Sequence, residues 1–238
     1  RQGRLDVTPN YFSVDMPFYR AHLRDRLPER IIDIHTHAAA LKVWQPGDPE
    51  PRDWPDRINR GCLMPVPNLL AALRLLFPGK EVAPVVLALG PREDPDGPAD
   101  YLRGELESYP HVYGFLNLLP EWSEGELIQR FQRGRFRGLK PYPTLAPSHI
   151  PPADVTIFDY LPPRQLKVAE AQGWVIMLHI PRADRLADPV NVAHLKRIAD
   201  EYPALKVILA HVGRAYSPRI AEQGFAALGD TARDAARL

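Results

Sequence analysis

The chain has a single cysteine, Cys62, in 238 residues, so it can form no internal disulfide and no zinc finger built on thiolates. Neither sign of charge is in excess. Lys and Arg number 30 against 29 Asp and Glu, a formal net charge of +1, which removes any general electrostatic pull toward nucleic acid or an anionic membrane. No apolar run approaches the ~18–20 residues that cross a bilayer. No apolar core with a cleavage site marks the first thirty residues, and the expected location is cytoplasmic. Glycine is limited to 15 residues with no G-X-Y period, which excludes a collagen-like chain. Proline, by contrast, is abundant: its 27 residues are roughly twice average usage and imply long, stiffened loops. A hydrophobic share of 45% with 25% charged residues is the ordinary balance of a domain that buries a core.

Short runs rich in Val, Ile and Leu fall at 31–34, 82–90, 112–119, 136–140, 174–178 and 205–210. Few polar residues interrupt them, as expected of parallel strands covered on both faces. Helical patterns lie between: 69–77 with Asn68 as its cap, then 100–109, 124–133, 164–172, 189–202 and a last one within 218–238. Residues 15–26 form an additional helix before the first strand. The alternation predicts a parallel α/β fold with right-handed crossovers. Two proline-rich segments, 41–67 and 141–163, are too long for routine connections. Each is a lid or binding wall, or else a plain surface insertion.

The chemistry concentrates at strand ends. Asp33, His35 and His37 alternate along the first strand and share one face, so two imidazoles can converge on a cation. Imidazole suits zinc, the commonest hydrolytic metal, as well as iron, nickel and copper. His179 closes the fifth apolar run before Pro181, His211 closes the sixth before Gly213, and Lys140 closes the fourth before Pro141. In a parallel barrel all such ends lie on one rim, where loops carry chemistry. The bland reading is a set of satisfied polar residues at strand boundaries. His22 and His194 fall in amphipathic helices, His111 precedes a strand, and His149 sits in the second long loop as a solvent-facing residue.

These stretches, Ile-Ile-Asp-Ile-His-Thr-His at 31–37, Arg-Gly-Leu-Lys-Pro at 137–141, Met-Leu-His-Ile-Pro-Arg at 177–182 and Ile-Leu-Ala-His-Val-Gly-Arg at 208–214, resemble the amidohydrolase superfamily. The likeness is to the amidohydrolase-related branch with aminocarboxymuconate-semialdehyde decarboxylase-like enzymes, and it spans about residues 28–215. It implies a TIM-type (β/α)8 barrel, here reduced to about six βα units. Residues 1–29 would be an N-terminal extension and 30–238 the barrel, incomplete at its C-terminus. His35, His37 and His179 would be metal ligands for one divalent ion, zinc with manganese as the alternative. His211 and Lys140 would be catalytic. In some relatives the matching lysine is carboxylated and bridges two metals. Family members also carry an aspartate on an eighth strand as ligand and general base, and this chain offers no candidate for it. Asp33 lies one pleat deeper and is expected to orient a neighbour.

The activity implied is metal-assisted hydrolysis of an amide, lactone or ester of a small carboxylated substrate. Non-oxidative decarboxylation on the same site is the alternative. Arg182 and Arg214, one motif beyond their histidines, are placed to hold a carboxylate, and Trp44 to wall an apolar ring. Arg52, Arg57, Arg60 and Trp54 in the first long segment are weaker candidates, with Asp48, Glu50, Asp53 and Asp56 nearby as partners. A homodimer is analogy with the family alone. Two other readings compete: a metallophosphoesterase or nuclease, which Lys140 at the fourth strand end disfavours, and a catalytically incomplete fragment.

Overall fold

The computed structural model describes residues 10–39, 64–88 and 94–231. Six strands alternate with helices. They are β1 (Arg30–His37), β2 (Glu81–Ala88), β3 (Tyr113–Leu118), β4 (Phe136–Pro141), β5 (Val175–Leu178) and β6 (Lys206–Leu209). The helices are α1 (Val66–Leu76), α2 (Asp96–Ser108), α3 (Glu124–Gln132), α4 (Ile157–Tyr160), α5 (Pro163–Ala171), α6 (Pro189–Glu201) and α7 (Pro218–Leu228). The class is therefore the TIM-type β/α succession, carried through six strands. Among the described residues no helix is long and apolar enough to cross a membrane. The chain divides into two compact units, one of residues 1–88 with 100–114 and one of 89–99 with 115–238.

In the first unit β1 and β2 pair in parallel, with Arg30 opposite Glu81 and Asp33 opposite Pro84. The register then slips, and Thr36 faces Val86. Pro84 has no N–H to give to the ladder, so a bulge falls where pairing is already interrupted. The slip lies beside His35. Helix α1 buries Val66, Leu69, Leu70 and Leu73 along one side. It begins three residues before the expected start: Pro65 caps it, and the Asn68 N–H donates to the Pro65 carbonyl inside the first turn. Pro67 fits there because an N-terminal turn needs no N–H partner. The expected helix at 15–26 also begins earlier, as helical turns over Tyr11–Asp15, Met16–Phe18 and Tyr19–Leu23.

In the second unit β4, β5 and β6 are parallel neighbours in that order. Leu139, Ile176, Met177 and Leu178 are fully buried on these strands. Phe131 of α3 stacks on Trp174 with ring centroids 3.6 Å apart. Gly138 is required by close approach, because a Cβ there would meet the Val175 carbonyl at 2.3 Å. Helix starts carry the caps that the sequence encodes. Ser123 accepts from the Glu126 N–H, Asp188 from the Val190 and Asn191 N–H groups, and Ser217 from the Ile220 N–H. The second proline-rich segment is not a bare loop. It holds a 3-10 turn, Pro143–Leu145, and helix α4, and it buries Leu145, Val155, Ile157, Tyr160 and Leu161.

Candidate functional site

At the end of β1, His35 and His37 stand with ring centroids 5.3 Å apart. His35 is half-buried and His37 exposed. The Asp33 carboxylate accepts the His35 backbone N–H at 3.2 Å, so Asp33 orients its neighbour as expected. Thr36, between the two histidines, points to the other side and donates its hydroxyl to the Val85 carbonyl at 2.8 Å. A cavity of about 550 Å³ in the same unit is lined by Arg30, Arg74, Lys80 and His111, with Leu70 and Leu73. It opens at the opposite, N-terminal ends of β1 and β2, away from the histidine pair.

In the second unit the strand ends converge. His179, just after β5, and His211, just after β6, face each other with their Nε2 atoms 3.1 Å apart. One ring can donate to the other when the tautomers differ, or both can face one cation. The spacing is compatible with either arrangement, since ligands about 2.0–2.1 Å from a tetrahedral zinc are roughly 3.3 Å from each other. The Tyr142 ring stands edge-on to His179 at 4.5 Å, and the Tyr160 hydroxyl donates to the His179 carbonyl at 2.5 Å.

Lys140 ends β4 fully buried, and its Nζ has no hydrogen-bond partner among the described residues. It stands 5.1 Å from the Tyr142 ring centre. Desolvation lowers its pKa to about 7. His211 is also held below its ordinary value, first by burial and then by the charges of Lys140 and Arg214. Burial raises the Tyr142 and Tyr160 hydroxyls, so both stay protonated.

The arginines divide. Arg214 donates to the Ile180 carbonyl at 3.2 Å and to the Tyr216 hydroxyl at 3.0 Å. Arg182 donates to the Asp188 carboxylate at 3.0 Å, the residue that caps α6. Arg185, which sequence reasoning missed, lies near enough to Arg214 for that charge, after burial, to lower its pKa.

Backbone strain gathers at the same place. Arg182, Arg185, His211, Val212 and Arg214 are the non-glycine residues with positive φ among those described, between 50° and 61°. Each such residue costs roughly 1–3 kcal/mol and persists only where packing enforces it. Leu186 supplies that packing. It is fully buried, and a Cβ on Gly213 or Gly224 would come within 2.8 or 2.5 Å of its side chain. Trp44, Trp54, Arg52, Arg57, Arg60 and Cys62 lie outside the described residues.

A family profile described as amidohydrolase matches residues 32–238. The chain belongs to the amidohydrolase family. It is an enzyme of the amidohydrolase type, and a divalent metal is the usual cofactor of that family. No curated protein matches the chain. Solved structures resemble it distantly. One is a probable 2-pyrone-4,6-dicarboxylic acid hydrolase of Acinetobacter baumannii with citric acid bound, 18% identical over 84% of this chain and 67% of that one, TM-score 0.48. Another is an amidohydrolase II, 14% identical over 83% and 73%, TM-score 0.45. A Pseudomonas putida protein given the same provisional pyrone-hydrolase assignment is 19% identical over 85% and 78%, TM-score 0.42.

For this amidohydrolase, the signals sequence reasoning passed over are Tyr142, Tyr160 and Arg185. Tyr142 follows the Lys140-Pro141 motif directly and was legible by position. Tyr160 and Arg185 act through contacts 19 and 29 residues away in the chain, which no local pattern announces.

Proposed function

We propose that this amidohydrolase is a metal-dependent hydrolase that cleaves an amide, lactone or ester of a small carboxylated substrate. His35, His37 and His179 would hold one divalent cation, zinc before manganese. When bound, that ion supplies Lewis acidity and brings the pKa of water toward 7. His211, kept neutral by its surroundings, accepts or returns a proton at Nε2 and polarises the scissile carbonyl. Lys140 presents an amine whose charge is suppressed by burial, so it can share that proton traffic near neutral pH. Arg214 holds the substrate carboxylate, with Arg182 beside it once its bond to Asp188 is shared. Trp44 walls the substrate ring. Residues 1–29 form an extension to the catalytic part, and the working location is cytoplasmic.

The observation that carries this reading is the 3.1 Å approach of His179 and His211 beside Lys140 and Arg214. Its test is elemental analysis of the purified chain, followed by turnover. The expected result is near-stoichiometric zinc or manganese in the wild type, lost in the His35→Ala/His37→Ala variant. A chromogenic lactone should then be hydrolysed, and a phosphodiester left intact. Release of carbon dioxide from an aromatic acid, with no lactone cleavage, moves the chemistry to decarboxylation. A chain that takes up no ion is the incomplete-fragment reading, and the hydrolase proposal fails.

A further inference from the structure

The segment between β4 and α5 is expected from sequence to be a lid, a binding wall or a plain surface insertion, and both its ends contact His179. Its first aromatic residue, Tyr142, sets a ring edge against the His179 imidazole at 4.5 Å. Its last, Tyr160, is fully buried and gives its hydroxyl proton to the His179 backbone carbonyl at 2.5 Å. Both ends of the segment therefore act on one histidine, the side chain from one direction and the backbone from another. The stretch between is fastened at either end, with residues 151–154 exposed at its middle. Leu145, Val155 and Ile157 are buried, and Asp159 accepts the Thr156 N–H and hydroxyl at 2.7 and 2.8 Å, which closes the turn that presents Tyr160. Helix α4 is in turn held on α6, where the Phe158 ring meets His194 at 4.3 Å and Arg197 covers the same ring at 4.9 Å.

His179 stands just past the end of a four-residue strand. β5 stops at Leu178, so His179 lies beyond the ladder that pairs Leu178 with Leu209. The carbonyl of His179 must still find a donor in a half-buried setting. A phenol from a distant, well-packed turn supplies it, and pins the backbone torsions that aim the imidazole.

We infer that Tyr160 is a positioning residue for His179, and that residues 142–160 form a strut which aims this histidine rather than a lid over it. The inference rests on the reading of His179 as a metal ligand. Contacts that orient a ligand histidine commonly matter by 10–100-fold in affinity.

The test uses the 238-residue chain and Zn²⁺ and Co²⁺ as probes. Tyr160→Phe keeps the ring and loses the proton donor. It should weaken Zn²⁺ binding about tenfold in a chelator competition and alter the visible absorption of the Co²⁺ form. Tyr202→Phe is the control for losing a phenol-to-carbonyl bond, because Tyr202 also donates to a backbone carbonyl, that of Pro163 at 3.3 Å. Tyr160→Phe should lose more stability without metal, because its bond is the buried one, and only Tyr160→Phe should lose metal affinity. If Tyr160→Phe does not accumulate as folded protein, Asp159→Ala loosens the same turn and should shift affinity in the same direction. Unchanged Zn²⁺ affinity in Tyr160→Phe, or an equal loss in Tyr202→Phe, overturns the inference while leaving the metal reading intact. A wild-type chain that binds neither ion removes the metal reading and the inference together.

Discussion

The end of β1 and the ends of β4, β5 and β6 present their polar residues by opposite means. At β1 the arrangement is local and open. Asp33, His35 and His37 follow one another on a strand, the closest hydrogen bond spans two residues, and His37 is exposed. In the second unit it is remote and more enclosed, although His211 itself is exposed. Lys140 is sealed from solvent, His179 is held by Tyr160 from 19 residues away, and His211 opens a left-handed turn wedged by Leu186. Local order is cheap to encode and weakly enforced; remote order demands a packed core that tolerates strain and buried polarity. The two regions should therefore respond very differently to substitution.

The largest difference should come from Lys140. Burial holds its pKa at about 7, against an ordinary value of 10.5. Between those values the unfolded chain carries a proton that the folded chain does not, so stability rises with pH from about 7 to about 10.5. Below pH 7 the penalty is fully present. Lys140→Met, which fills the space without the amine, should stabilise the protein by roughly 2–4 kcal/mol at pH 7 and flatten that slope. The gap between variant and wild type should close as pH approaches 10. Urea unfolding at pH 6.5, 8 and 9.5 measures it. Parallel curves for the two proteins would mean that the amine is solvated or paired when folded.

Next in size is the Leu186 wedge. Gly224→Ala in α7 would place a Cβ 2.5 Å from Leu186 Cγ and 2.8 Å from its carbonyl oxygen. A backbone atom cannot swing aside as a side-chain tip can, so overpacking of about 1–3 kcal/mol outweighs the gain of about 1 kcal/mol from replacing a helical glycine. The variant should unfold at lower urea, with a net loss near 1–2 kcal/mol. Leu186→Ala alone should cost at least about 2 kcal/mol, and the double variant should be less damaging than the sum because the two changes share one space. Strict additivity would show that Leu186 and Gly224 are not packed as a unit.

This contrast also explains how much the sequence disclosed. Strand runs of Val, Ile and Leu are visible because burial on both faces demands continuous hydrophobicity, and all six became strands with ends shifted by three residues or fewer. The His-x-His pair, His179, His211 and Lys140 were visible because a polar residue closing such a run stands out. Helix starts were less legible: α1 and α2 begin three and four residues earlier than expected, with Pro67 and Pro98 in their first turns. The turn at α4, the pairing of Arg182 with Asp188 and the left-handed run from His211 to Arg214 were not legible at all. Each depends on partners set by folding, and Val212 has a side chain that argues against the conformation it adopts.

The smallest effect should be at Asp33, and there the comparison can be reversed outright. Asp33→Ala removes an acceptor for the His35 N–H at 3.2 Å, a single half-buried bond with solvent close by. The loss should be about 0.5–1.5 kcal/mol of stability. His35 would keep its place in the strand, since the flanking pairs of β1, from Arg30–Glu81 through Asp33–Pro84 and again at Thr36–Val86, do not use the Asp33 side chain. Zn²⁺ affinity should accordingly fall by less than in Tyr160→Phe. Competition titrations of the two variants side by side decide the point. If the aspartate variant loses the ion and the tyrosine variant keeps it, ligand direction is set by the strand's own neighbours, and the long-range packing of the second unit serves stability alone.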